Sequence, residues 1–207
     1  ACSTRPHSTP VDAVTEWRLL SRGLEMIRHH WSEVPISIDT FRVEIAEQVL
    51  AKGADMINDV SGADANPRMW ELAARCHVPY ILTHAQKTAE PAMVDVLHFL
   101  EQYVDKLHRL GVADVIVDPG FGFGKTVEQN YALLRQLDVL QTIGAPVLVG
   151  VSRKSMLYKP LMTTPEDVLA ATVAANTLAL ERGANILRVH DVAAARQAIQ
   201  IHQSTHA

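Results

Sequence analysis

Six places along this chain put a chemically capable side chain at the end of a short apolar run. They are Asp39, the pair Asn58 and Asp59, His84, Asp118, the turn Ser152-Arg153-Lys154, and Arg188 with His190. Carboxylates and amides accept hydrogen bonds from the N–H edge of a flat heterocycle, and a lysine ammonium donates to its carbonyl. Arg188 and His190 are two residues apart, so an extended strand sends both to one side. Two such donors suit a phosphate or pyrophosphate, and arginine adds bidentate geometry. Each position also has a plainer reading. Asp39 precedes a helix and can cap it. Asn58-Asp59 can be a turn. SRKS (152–155) can be a solvated basic turn, and Arg188 can pair with Asp191. The repetition across successive strand ends favours the functional readings.

The stretch DPGFGFGKTVEQN (118–130) carries three alternate glycines and then Lys125 and Thr126. Two phosphate-binding patterns can be tested on it. A P-loop needs a glycine where Pro119 stands, and the dinucleotide fingerprint needs one where Lys125 stands. Both patterns fail, which counts against nucleotide binding. What remains is Asp118 beside Phe121 and Phe123, an acid next to two aromatic faces, which suggests a flat, hydrogen-bonding ligand.

The elements that must hold these residues are legible from periodicity. Apolar runs at 34–39, 54–60, 78–85, 114–120, 145–152 and 184–191 are rich in Val and Ile and lack alternation, as strands buried on both faces do. Helical spacing marks 40–53, 93–111, 126–140 and 164–183, three of them ending on Gly. Strand alternating with helix predicts a parallel sheet with right-handed crossovers. Polar residues at the C-terminal end of strand after strand describe the rim of a β/α barrel better than the single switch point of an open sheet. A barrel of this kind has eight strands, and six are visible. No linker rich in Pro, Gly or Ser divides the chain, so residues 1–207 read as one domain.

Composition removes some classes. The chain has 207 residues, 48% of them hydrophobic, and a net charge of −4. That charge gives no footprint for a nucleic-acid backbone. No apolar run approaches a membrane span. Cys2 and Cys76 form no disulfide framework, so a reducing cytoplasm is the simplest setting. His29-His30, His98, His108 and His202 read as solvated faces, Cys76-His77 as a helix end, and no H-E-x-x-H spacing occurs.

Taken together, STRP (3–6), SIDT (37–40), INDVSG (57–62), DPGFGFGK, VGVSRKSM (149–156) and LRVHDV (187–192) resemble one family, dihydropteroate synthase, the folate-pathway enzyme that sulfonamides inhibit. The resemblance spans nearly the whole chain. It implies an α/β fold, a TIM-type (β/α)8 barrel of which strands three to eight are visible, the N-terminal strands being absent. It implies condensation of 6-hydroxymethyl-7,8-dihydropterin diphosphate with p-aminobenzoate to give 7,8-dihydropteroate and pyrophosphate. It assigns the pterin to Asp39, Asn58, Asp118 and Lys154, and p-aminobenzoate to Thr4, Pro6, Phe123 and Ser152. The diphosphate falls to Arg5, Arg188 and His190, and the catalytic set is Lys154, Arg188, His190 and Asp118. The implied cofactor is Mg2+, with no metal ligand in this chain, its protein ligand belonging to the family's opening segment. The implied setting is cytoplasmic, and the implied assembly is a homodimer, with no nucleic-acid or membrane partner. Two departures stand out: His7-Ser8 follows STRP where the family has Gly-Ala, and Thr83-His84-Ala85 replaces Met-His-Met. The alternatives are a non-catalytic pterin-binding module and a cobalamin-dependent pterin methyltransferase domain. Against the latter, SRKS with RVHD makes an anion site that a methyl donor does not need.

Overall fold

A computed structural model describes residues 11–62 and 66–206. Strands and helices alternate through them, and the six expected strands are all present, each shorter than its apolar run. The described residues form two compact units, one drawn from 11–83 and 104–115 and the other from 84–103 and 116–206.

The first unit holds α1 (Ala13–His30), β1 (Ser37–Asp39), α2 (Val43–Ala51), β2 (Met56–Asp59), α3 (Pro67–Cys76) and β3 (Tyr80–Thr83). β1 pairs in parallel with β2, and β2 with β3. The register sets Asp39 beside Asn58. All four residues of β3 are buried, as expected of a strand covered on both faces. α1 starts at Asp12, whose carboxylate accepts from the Thr15 N–H at 2.9 Å, a side-chain cap that satisfies an otherwise orphaned donor. Leu24 of α1 packs with Ile36, Ile38, Ile45, Val49 and Ala54, with Trp17, Leu20 and Ile27 around them. The apolar pattern does not announce this helix, nor α3. α3 has its own signals: Asn66 accepts from the Arg68 N–H, Pro67 opens the helix, and His77 closes it in the left-handed region.

α4 (Ala92–Arg109) and β4 (Val115–Asp118) contribute residues to both units. The second unit continues with α5 (Val127–Arg135), β5 (Leu148–Val149), α6 (Ser155–Tyr158), α7 (Leu169–Glu181), β6 (Ile186–Leu187) and α8 (Val192–Thr205). β5 and β6 pair in parallel, and Val117 bridges to Val147 in the same sense. α5 opens with a full capping box: Thr126 accepts from the Gln129 N–H, and the Gln129 side chain accepts from the Thr126 N–H in return. The helix expected over 126–140 stops at Arg135, and a 3₁₀ segment, Leu137–Ile143, follows. Leu137 and Leu140 are both fully buried there, because a three-residue turn aligns positions three apart. The helix expected from Thr164 likewise begins with a 3₁₀ turn, Pro165–Asp167, before α7. No helix among the described residues is long and apolar enough to cross a membrane.

Candidate active site

In the first unit, the ends of β1 and β2 carry Asp39, Asn58 and Asp59. Asn58 is 5% exposed, and among the described residues its side-chain oxygen meets no hydrogen-bond donor. Such a group is costly unless something satisfies it, so Asn58 Oδ1 is a ready acceptor for a ligand N–H. Asp59 is spent differently. Its Oδ2 accepts from the Tyr80 hydroxyl at 2.8 Å, and that hydroxyl accepts from the Trp70 indole N–H at 3.1 Å. Its Oδ1 accepts from both the backbone N–H and the hydroxyl of Ser61. Burial, and then the charge of Asp59, hold the Tyr80 phenol well above its usual range. The turn reading therefore fits Asp59, while Asn58 beside it keeps an open acceptor.

In the second unit, the strand ends and the loops after β4, β5 and β6 bring five expected residues together: Asp118, Ser152, Lys154, Arg188 and His190. Asp118 is 1% exposed. Its Oδ1 accepts from the Gly120 N–H at 2.8 Å and its Oδ2 from Arg188 Nη2 at 2.9 Å. Arg188 thus pairs with Asp118 and not with Asp191, whose carboxylate takes the guanidinium of Arg153 through two bonds of 2.9 and 2.8 Å. Arg188 also lies so close over Gly150 that a Cβ there would come within 3.1 Å of its Nε.

Arg153 has a φ of 55°, an uncommon conformation for a residue with a side chain. Its backbone N–H donates to Thr172 Oγ1 at 3.2 Å. The anchored, left-handed Arg153 turns the chain so that Lys154 runs back towards the β4 loop. There the ammonium meets the Phe121 carbonyl and stands 5.1 Å from the centre of the Phe123 ring. Burial pulls Lys154 down to about 8; Asp118 opposes that shift and Arg188 adds to it. Ser152 Oγ accepts from the His190 N–H at 3.2 Å and lies 3.0 Å from its Nδ1, so this hydroxyl orients the imidazole.

The glycine loop has a structural explanation. Gly120, Gly122 and Gly124 all have positive φ. A Cβ on Gly120 would sit 1.9 Å from the His84 carbonyl oxygen, and one on Gly124 would sit 2.6 Å from that of Gln86. Only a residue without a side chain lets these backbones meet. Lys125 then ties the loop down. Its ammonium donates to the carbonyls of His84, Gly120 and Phe123 at 2.9, 3.0 and 3.2 Å and lies 2.9 Å from His84 Nδ1. Burial brings Lys125 down to about 7, with Lys154 pushing the same way and Asp118 opposing. His84 is pushed to about 4, first by burial and then by Lys125. The expectation of two aromatic faces beside Asp118 is corrected for Phe121, which is wholly buried in the core; Phe123 is partly exposed. Sequence reasoning missed Lys125 as a functional support, although it sits in the very triplet tested for a P-loop. Thr4, Arg5 and Pro6 lie outside the described residues.

Comparison with known proteins adds independent information. A family model described as pterin binding enzyme matches residues 1–190. The dihydropteroate synthase of Synechocystis sp. is 38% identical over 211 residues, covering 96% of this chain and 73% of the relative. A dihydropteroate synthase of Xanthomonas albilineans, solved with 4-aminobenzoic acid, superposes with a TM-score of 0.93 at 36% identity, covering 99% of this chain and 77% of that one. That of Thermus thermophilus, solved in complex with 6HMPPP, gives a TM-score of 0.84 at 38% identity, covering 96% and 80%. The fold class is therefore α/β of the TIM-barrel type, with six βα units visible here.

Proposed function

This chain belongs to the family of pterin-binding enzymes, and from that premise we propose that it condenses 6-hydroxymethyl-7,8-dihydropterin diphosphate with p-aminobenzoate, releasing pyrophosphate and forming 7,8-dihydropteroate. The observation that carries this reading is the cluster in the second unit: a buried carboxylate, Asp118, with Lys154 and Arg188 beside it and His190 oriented by Ser152. It sets an acceptor for pterin N–H donors next to cationic donors for a departing anion. The relatives carry the synthase name, which leaves the methyltransferase alternative without support.

In this reading Asp39, Asn58, Asp118 and Lys154 recognise the pterin, and the buried Oδ1 of Asn58, which has no donor among the described residues, gains one. Phe123 and Ser152, with Thr4 and Pro6, take p-aminobenzoate. Arg188, His190 and Arg5 take the diphosphate. The C–O bond from the pterin methylene to the diphosphate breaks, and the electron-rich pterin stabilises the cationic carbon. The amine nitrogen of p-aminobenzoate forms the new C–N bond and then loses a proton. Catalysis is mostly positioning and stabilisation of the leaving anion. The homodimer and the cytoplasmic setting belong to the same proposal, supported by family resemblance and by the isolated cysteines. So does competition by sulfonamides for the p-aminobenzoate position.

Magnesium requires near-octahedral oxygen ligands. Among the described residues, the one group of His, Cys, Asp or Glu side chains close enough to share an ion is Glu181, His202 and His206, which is rich in nitrogen and stands on α7 and α8. The residues present do not fit a magnesium site; the ion is proposed only as a companion of the diphosphate, and no step here runs through it. The test is dihydropteroate formation by the 207-residue chain given both substrates and magnesium. Product well above that of a Lys154→Ala control is expected. Equal product from the two would overturn the assignment of Lys154.

A further inference from the structure

We propose that Glu181, His202 and His206 form a binding site for a borderline divalent transition-metal ion, with zinc as the type case, which fastens the end of α8 to the end of α7. His202 lies in the last turn of α8 and His206 is the residue that caps it. Their rings stack with centroids 4.4 Å apart. His202 Nε2 is 3.6 Å from Glu181 Oε1, and His206 Nε2 is 3.5 Å from Glu181 Oε2. Good N–H···O bonds run to about 3.2 Å, so these gaps are too wide to be strong hydrogen bonds. They match two ligands on one ion: metal–ligand bonds of roughly 2.0–2.2 Å at a tetrahedral angle separate the ligand atoms by about 3.3–3.6 Å.

The hydrogen bonding points the same way. His206 Nδ1 lies 2.9 Å from the His202 backbone carbonyl oxygen, which can only accept, so Nδ1 is the donor there. That leaves Nε2 as the ring atom turned towards the Glu181 carboxylate, where an ion would sit. A backbone carbonyl holding the far ring nitrogen is also the usual outer support of a metal-ligating histidine. Thr205 Oγ1 buttresses the arrangement, 3.0 Å from the same Nδ1 and 2.7 Å from the same carbonyl. The side chain of His202 is 20% exposed, against 45% for Glu181 and 52% for His206, so solvent can complete the coordination. Two imidazoles and one carboxylate select zinc, copper(II) or nickel over magnesium or calcium.

The test is zinc titration of the untagged chain by calorimetry, paired with thermal melts. One ion per chain is expected, with a melting temperature that rises with zinc and does not rise with the same concentration of magnesium. His206→Ala and Glu181→Gln are each expected to weaken zinc binding at least tenfold while melting normally without metal. Acid should release the ion, since protons compete for the same lone pairs. Undiminished stoichiometric binding in the double variant His202→Ala/His206→Ala would place the ion elsewhere and overturn the proposal. So would the absence of zinc binding in the unmodified chain.

Discussion

β2 and β4 both end in a buried aspartate, and the two are spent in opposite ways. Asp59 is held by Tyr80 and Ser61, and Tyr80 in turn by Trp70, so every partner belongs to the surrounding core or turn. Asp118 is held by a loop N–H and by Arg188, a cation that a ligand can compete with or share. Residue type and strand-end position are the same in both. What separates a structural acid from a chemical one is whether its partners are fixed aromatic and turn groups or charged side chains on neighbouring loops.

The largest test of that contrast is Asp118→Asn. It keeps the shape and removes the charge that faces Arg188 and Lys154, and kcat/KM is expected to fall by about a hundredfold or more. Retained activity would break the distinction at its root. The pH profile sharpens it next. The Lys154 ammonium is needed as a donor, and its folded value is brought down to about 8. Above that, kcat/KM is expected to fall about tenfold per pH unit as the donor is lost, and Lys154→Arg should move this limb upward. Stability moves the other way. The folded value is depressed below that of the free side chain, so the cost of the buried charge is fully present below about pH 8 and is relieved as the pH rises towards 10.5.

On the other side of the comparison, Tyr80→Phe removes the hydroxyl that donates to Asp59 Oδ2 and accepts from the Trp70 N–H. A loss of about 1–3 kcal/mol in stability is expected by chemical denaturation, with kcat little changed. Smallest of all is Ser61→Ala. It removes the hydroxyl but keeps the backbone N–H to Asp59, for about 0.5–1.5 kcal/mol. A large activity loss from either variant, with the fold intact, would make Asp59 a chemical acid after all.

Much of this is legible in the sequence. Buried parallel strands announce themselves as runs of Val and Ile, and all six runs hold a strand. Their ladders are short, two residues each in β5 and β6, because ladder length depends on neighbours that periodicity does not encode. The capping box of α5 needs Gln129 three residues after Thr126, a spacing that periodicity does not single out. Asp118, Ser152, Lys154, Arg188 and His190 stand out from their place at strand ends. Their pairing does not: Arg188 takes Asp118 from 70 residues away, while Asp191, close to Arg188 along the chain, is claimed by Arg153. Phe121 goes the wrong way because left-handed glycines on both sides break the alternation that would have predicted its face. Lys125 is invisible as a tether because its carbonyl acceptors belong to the backbone, which every sequence has.

The close approach at Gly124 reaches beyond this one molecule. Its backbone lies against that of Gln86 with no room for a methyl group. The loop that follows β3 and the loop that follows β4 are therefore a single heritable module. A side chain at position 124 has nowhere to go unless the other loop yields with it. Anyone transplanting the acid-bearing loop into another barrel would have to carry both, and natural variants that lengthen either one should arrive with compensating changes in its companion.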